Sequence, residues 1–313
     1  MQTIHDPKSI SLDQGSVLTI GNFDGVHLGH QSLISRILEE SQKQKQKSVV
    51  VTFWPHPREV VSPEKVHRPL TTRSERLRLL AALGVDFVME LAFTRELANL
   101  TPRDFVKDYL LPLNLRHLVT GYDFSLGRGR SGHTEELREL GYEFGFTVEQ
   151  MPALKQDGDI LSSTELRKLI AKGEVERASK FLGRPYALTG KVIAGFGRGK
   201  ILGFPTANIA PPDLLLPKMG VYAALAKILG KTYPALVNLG HNPTFGHLPL
   251  SLEAFLLEGG SDFYGEELTL NFLTYLRPEE RFANALELQK QITADCAQAK
   301  KLFYEQKQLR SDG

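Results

Sequence analysis

The sequence predicts two folds in tandem: a doubly wound, mostly parallel α/β sheet in the first half, and a small antiparallel β-barrel with a C-terminal helix in the second. Three observations carry this. Up to about residue 185, short β-rich runs alternate with helical patterns, the mark of strands joined by helical crossovers. From Ala187 onward, strand-like runs follow one another with Gly and Pro between them. The chain of 313 residues is about twice the usual ~150-residue domain, so each half is long enough for its own core. The division is placed in domains 1–185 and 186–313.

In the first half, "SVLTIGNF" reads as a strand, and Leu28 to about Gln42 as a helix with Leu33, Ile34, Ile37 and Leu38 on one face. "SVVVTFW" is apolar on both faces, as a strand inside a parallel sheet is. A helix follows from Thr72 to Leu83, then a strand "DFVMEL", a helix after Thr101, and strands "RHLVTG" and "FTVEQM". Helical "STELRKLIAKG" and "EVERASKFLG" close this half.

The second half offers "LTGKVIA", "GVYAALAKI", "TYPALVNLG", "SLEAFLLE" and "ELTLNFLTYL" as strands. In the last, Leu268, Leu270 and Phe272 alternate with Thr269 and Asn271, the period of a half-buried strand. A final helix starts at Asn284 with Glu287 in capping-box position. Leu288, Ile292, Cys296, Ala299 and Phe303 form its inward stripe. There is no internal repeat, and "SQKQKQKS" is a solvated helix end.

Hydrophobic content of 42% and charged content of 24% are ordinary for a globular protein. A formal net charge of +2 supplies no long-range field for nucleic acid or membrane, so neither is expected as a partner. The single cysteine, Cys296, cannot form an intramolecular disulfide and suits a reducing compartment. The start "MQTIHDPKSI" lacks the basic and apolar regions of a signal peptide. No apolar stretch nears the ~20 residues that span a bilayer. A cytoplasmic protein is expected.

At the end of the first strand stands "GNFDGVHLGH". Ligands of open α/β sheets bind in that crevice. Glycines there let backbone approach a phosphate, and a helix N-terminus presents unpaired N–H groups. His27 and His30, at i and i+3, share one face of the first turn and are able to donate to phosphate oxygens. Two other readings stay open at this point. The pair are ordinary surface or core histidines, or half of a zinc site whose remaining ligands no nearby cysteine or histidine cluster supplies. "LSSTELRKL" opens a late helix, where Ser162 and Glu165 make a capping box that doubles as an anion site, with Arg167 in reach of a phosphate. "GYDFSLGRGRSG" reads as a mobile loop around a nucleotide rather than an RNA-binding tract, being one short copy without interleaved aromatics.

The HxGH at His27–His30 together with "SSTELR" resembles the paired motifs of the nucleotidyltransferase superfamily. In their longer forms, "GNFDGVHLGH", "TFWPHP", "GYDFSLGRGRSG" and "LSSTELR" are similar to the FMN adenylyltransferase half of the bacterial bifunctional riboflavin kinase/FAD synthetases. This resemblance implies a Rossmann-like fold in which His27 and His30 stabilise the phosphates of ATP at the transferring α-phosphorus. It implies that Ser163, Thr164 and Arg167 hold the β and γ phosphates, and that Gly21, Asn22, Phe23, Asp24, Gly25 and Asp123 lie at the nucleotide. Phe53, His56 and Pro57 would lie beside the flavin, and Leu126 stands where the family more often has Phe. FMN already carries an anionic nucleophile, so alignment and charge stabilisation suffice for the transfer. Mg²⁺ is expected with the ATP.

In the second half, "GFGRGKILGFPTANI" is a glycine-rich basic loop running into Pro-Thr-Ala-Asn; by itself it is equally a plain glycine-rich hairpin. Thr206 and Asn208 face the same way in an extended strand, and two neutral oxygens suit Mg²⁺ that also bridges phosphates. Glu253 in "SLEAFLL" is an acid among apolar residues and needs a partner or a task. "GRGKILGFPTAN", "MGVYAA", "NLGHNPTFG", "LEAFLLEGGSDFYGE" and "LRPEERFANALELQKQI" are similar to the riboflavin kinase barrel of the same family. The resemblance implies that Thr206 and Asn208 hold Mg²⁺ and phosphate, and that Gly195, Gly197, Arg198 and Gly199 lie in the loop covering the nucleotide. Glu253 would be the general base, taking the proton of the terminal ribityl hydroxyl as it attacks the γ-phosphate of ATP. Two departures stand out. Phe255 occupies the place of a usual His, and Gly259 and Gly260 replace larger residues before the "YG" turn; kinase turnover and flavin affinity are what they would alter. The partners implied are riboflavin, FMN and ATP, with FMN and FAD as products, and a weak homo-oligomer is compatible with this reading.

Overall fold

The first sheet is built from short apolar runs: β1 (Gln2–Ile4), β2 (Ser16–Ile20), β3 (Lys47–Trp54), β4 (Phe87–Ala92), β5 (Leu115–Thr120) and β6 (Thr147–Gln150). They pair in the order β1-β4-β3-β2-β5-β6, every pair parallel. The helices are α1 (Leu28–Gln44), α2 (Pro57–Val61), α3 (Arg73–Ala82), α4 (Arg95–Ala98), α5 (Pro102–Phe105) and α6 (Thr134–Phe144). The computed structural model describes residues 1–195, 199, 202–241, 250–258 and 263–311.

Parallel strands covered on both faces must be apolar on both, and the side-chain period of two then splits the sheet into two cores. Val17, Val50, Val88 and Val119 pack with Ile34 and Ile37 of α1 and Leu80 of α3. The intervening Leu18, Val49, Val51 and Met89 pack with Phe105, Leu137 and Leu140 on the other side. The expected doubly wound sheet is thus present. Its order reverses at β2, with β3 and β4 to one side and β5 and β6 to the other. The crevice outside the carboxyl ends of β2 and β5 is therefore the switch point where such sheets take ligands.

Contacts divide the chain into two units, Met1–Ser163 and Thr164–Gly313. A short antiparallel pair, β7 (Lys155–Gln156) and β8 (Asp159–Ile160), follows the first sheet in the chain. Helices α7 (Ser163–Lys172) and α8 (Val175–Leu182) precede the barrel strands β9 (Tyr186–Ile193), β10 (Ala207–Ile209), β11 (Gly220–Ile228), β12 (Lys231–Gly240), β13 (Ser251–Leu256) and β14 (Glu267–Arg277). The contact division falls earlier than the change of pattern at residue 186, because α8 packs on β9 and β14.

The barrel closes as β10-β13-β12-β11-β14-β9, every pair antiparallel. Register puts Tyr222 opposite Val237, and Val237 opposite Ala254, so these fully buried residues fill the interior. The alternate set, Val221, Ala223 and Leu236, is covered by the C-terminal helix Ala285–Ser311 through Ile292, Cys296, Ala299 and Phe303. Leu288, the first residue of the expected stripe, is half-buried. Asn284 caps that helix by accepting from the Glu287 N–H at 3.0 Å, while the Glu287 carboxylate accepts from the Ala283 N–H at 3.2 Å. The returning bond of the capping box thus lands one residue before the cap. Arg277 at the end of β14 pairs with buried Asp295 at 2.8 Å and ties the helix to the barrel. Among the described residues, no helix is long and apolar enough to cross a membrane.

Candidate functional site

The loop from Gly21 to His27 joins β2 to α1 at the switch point. It is bent into an unusual path, with Phe23, Gly25 and Val26 all at positive φ. Such backbone is costly for Phe and Val and persists only where the surroundings hold it. The end of the loop is fixed by His27, the N-cap of α1, whose Nδ1 accepts from the His30 N–H at 3.3 Å. The two imidazoles stack with centroids 3.6 Å apart, and Phe23 meets His30 edge-on at 5.1 Å. Gly29 makes this possible, since a Cβ there would lie 3.1 Å from the His27 ring. Burial, and then the neighbouring His27, hold the His30 imidazole well below the ordinary histidine range. His30 Nδ1 is buried without a hydrogen-bond partner among the described residues.

The two histidines stand side by side, with His27 as the cap of α1 and not in its first turn. Because His27 Nδ1 accepts the capping N–H, the proton of its neutral ring sits on Nε2. Asp24, expected at the nucleotide, is only 3% exposed. Its carboxylate accepts from the N–H groups of Leu70, at 2.9 Å, and Thr71, at 3.2 Å, so it clasps the loop to that segment. Its carbonyl accepts from Ser163 Oγ at 3.1 Å, which brings the first residue of α7 to the same loop. Thr164 and Arg167 follow on the first turns of α7, exposed and half-buried respectively.

A second support was not visible in the sequence. Arg76 of α3 donates to the carbonyls of Asn22, at 3.1 Å, and Phe53, at 3.0 Å, and to Glu90 at 3.3 Å. Arg73 holds the same buried Glu90 at 2.7 Å. Burial lowers the Arg76 guanidinium from its ordinary value, opposed by Glu90, but an arginine stays charged in proteins.

Of the residues expected beside the flavin, Phe53, next to last in β3, meets Phe93 edge-on at 5.5 Å and Phe105 at a tilt at 6.3 Å. His56 caps α2 by accepting from the Arg58 N–H at 3.1 Å and stacks on His67 at 4.0 Å, with Pro57 in the first turn. Asp123 follows β5, its carboxylate 3.8 Å from where a Gly121 Cβ would stand. The loop "GYDFSLGRGRSG" closes on itself: Leu126 and Gly132 exchange backbone bonds of 2.9 and 2.8 Å, and Arg128 N–H donates to Leu100 O at 2.9 Å. Gly127 and Gly132 lie against Pro102, where a Cβ would come within 2.9 and 2.7 Å.

In the barrel, Asn208 stands opposite Glu253 on β13, and Glu253 opposite Asn238 on β12. Directly paired residues share a face, so the three side chains form one row on the outside of the barrel. Thr206, just before β10, joins it by donating to Glu253 Oε2 at 3.2 Å. Gly195 lies hard against the Asn208 amide and Gly199 against the Phe204 carbonyl, and neither position has room for a Cβ. Gly197 and Arg198 lie outside the described residues, as do Gly259 and Gly260. Phe255 continues the row, edge-on to Phe204 at 5.4 Å and packed into the cluster beneath the C-terminal helix. Glu279, which the sequence did not single out, accepts from Asn238 at 3.2 Å and from the His241 N–H at 2.9 Å. No group of three or more His, Cys, Asp or Glu able to hold a metal occurs among the described residues. The barrel row instead offers a hydroxyl, an amide and one carboxylate, hard oxygen donors that fit Mg²⁺ shared with phosphate.

Known proteins match this chain throughout. The FAD synthetase family model covers residues 9–165 and the riboflavin kinase family model residues 182–303. A bifunctional riboflavin kinase/FMN adenylyltransferase of Escherichia coli (strain K12) is 38% identical over 292 residues, 93% of each chain. One from Listeria monocytogenes is 36% identical over 302 residues, 94% of this chain and 96% of its own. A crystal structure described as a macrolide-efflux protein from Streptococcus pneumoniae is similar with a TM-score of 0.85 and 30% identity, over 94% of this chain and 96% of that one.

Proposed function

This chain belongs to the bifunctional riboflavin kinase/FMN adenylyltransferase family, and we propose that its two reactions run on separate residue sets, in 186–313 for FMN and in 1–185 for FAD. Riboflavin and ATP give FMN; FMN and a second ATP give FAD and pyrophosphate.

One observation carries the front assignment: His30 Nδ1, a buried polar atom without a hydrogen-bond partner among the described residues, on a ring stacked over His27 at the switch point. Buried polar atoms are nearly always bonded, and a phosphate oxygen of ATP would complete this one. His27 donates from Nε2 to the same phosphate. The FMN phosphate oxygen bonds to the α-phosphorus as the α–β bridging bond breaks, and the negative charge that moves onto pyrophosphate is met by α7 residues Ser163, Thr164 and Arg167. No base is required. Gly21, Asn22, Phe23 and Gly25 supply the backbone around the nucleotide with Asp123, Asp24 holds that loop in place, and Phe53, His56 and Pro57 seat the flavin.

In the barrel, Glu253 takes the proton of the ribityl hydroxyl as its oxygen attacks the γ-phosphorus of ATP. Thr206, bonded to that carboxylate, orients it. Thr206 and Asn208 would also hold Mg²⁺, which when bound offsets phosphate charge. Gly195 and Gly199, with Gly197 and Arg198, cover the nucleotide.

The test is a time course with riboflavin, ATP and Mg²⁺, separating the flavins. FMN should rise first and FAD later, with pyrophosphate tracking FAD. FAD that appears without FMN passing through solution or enzyme, or supplied FMN that is never adenylylated, would contradict the scheme.

A further inference from the structure

Arg76 is a charged side chain only 4% exposed. Burying a guanidinium is costly, and a well-packed apolar residue would avoid that cost, so its three acceptors call for explanation. They lie on or just beyond three neighbouring strands of the sheet. Asn22 stands two residues past the end of β2, Phe53 is next to last in β3 and Glu90 lies in β4. Thr52 Oγ1 donates to the same Asn22 carbonyl at 3.3 Å, and the guanidinium lies over Trp54 at 5.6 Å. One arm of the fork thus ends on the strained loop that carries the histidine pair, and the other on Phe53, in the segment that leads to His56 and Pro57.

We propose that Arg76 is a positioning residue for adenylyl transfer: a rigid strut that sets the nucleotide loop against the flavin segment while touching neither substrate. This rests on the assignment of those two segments given above. In-line transfer requires the FMN phosphate and the α-phosphorus to meet within a few tenths of an ångström, and misplacement by about 1 Å costs on the order of 100-fold in rate. Two carbonyls and a carboxylate held by one planar fork fix that separation better than independent contacts would. Lysine, a single ammonium, satisfies fewer of them at once.

The experiment compares Arg76→Met and Arg76→Lys in the full chain, measuring FAD formation from FMN, FMN formation from riboflavin, and thermal melting in the same preparations. Arg76→Met should lower kcat for FAD about 100-fold, with KM for ATP and FMN moving less than about threefold and the kinase rate unchanged. Arg76→Lys should lie between, regaining about tenfold. If Arg76→Met does not fold, Arg76→Lys decides, with a loss of about tenfold in kcat expected. Full kcat below the melting transition in whichever variant folds overturns the proposal and leaves Arg76 a stability residue. A kcat intact in His30→Ala would instead fail the site assignment itself, so the two failures are distinguishable.

Discussion

The two sites solve related problems with opposite materials. The front site is made of backbone and rings: a loop with three positive-φ residues, stacked imidazoles and a helix N-terminus, bolted from beneath by buried charge. The back site is a row of oxygen atoms on a regular antiparallel ladder, requiring no strained backbone at Asn208 or Glu253. The difference follows from the nucleophiles. A phosphate attacks as an anion and needs only alignment, whereas a hydroxyl needs a base beside it. In the assignment proposed above, Glu253 is the base in the row that would serve the hydroxyl, and the carboxylate in the front loop, Asp24, accepts from backbone N–H groups.

That contrast can be broken at either end. The largest effect is expected from Glu253→Gln, which should cut FMN formation about 1,000-fold while FAD formation from supplied FMN stays within about twofold. Parallel loss of both activities would sink the separation. His30→Ala should do the reverse, lowering FAD formation about 100-fold with the kinase rate intact. Gly29→Ala adds a Cβ 3.1 Å from the His27 ring. A displacement of a few tenths of an ångström should cost about tenfold in adenylylation, and an unchanged rate would show that the stack tolerates movement.

Smaller effects concern pH and Phe255. His30 is held below its ordinary value when folded. The unfolded chain takes up a proton near ~6.5 that the folded one refuses, so this stability is complete above ~6.5 and is lost as pH falls toward the folded value. The loss is at most about 1.4 kcal/mol per pH unit. Urea unfolding between pH 7 and 5.5 should show it, and His30→Asn should flatten the slope; identical slopes would place it elsewhere. Phe255→His removes an edge contact with Phe204, and a change of about two- to fivefold in the kinase constants is expected, of the size of one lost aromatic pair.

Much of the fold was legible because long apolar runs such as "SVVVTFW" admit few other readings. β1 and β10, at 3 residues each, and β7 and β8, at 2 residues each, escaped, being too short for a period of two to register. The histidine pair was legible as a motif, but its spacing could not reveal that His27 is the cap of α1 rather than part of it. Arg76 was not legible from its own stretch of sequence. Its partners lie 54, 23 and 14 residues away, and in "TTRSERLRLL" it looks like one more solvated base. One signal did exist: Glu90 is an acid inside the apolar strand "FVMELA", the same anomaly that singled out Glu253. Applied to both strands, that rule finds both.

The most direct test of two independent sites is complementation between variants. Glu253→Gln and His30→Ala are each given riboflavin, ATP and Mg²⁺, alone and as an equal mixture. Neither alone should yield FAD, while the mixture should, because FMN released by the His30 variant is adenylylated by the Glu253 variant. A mixture as inactive as its components would contradict the account.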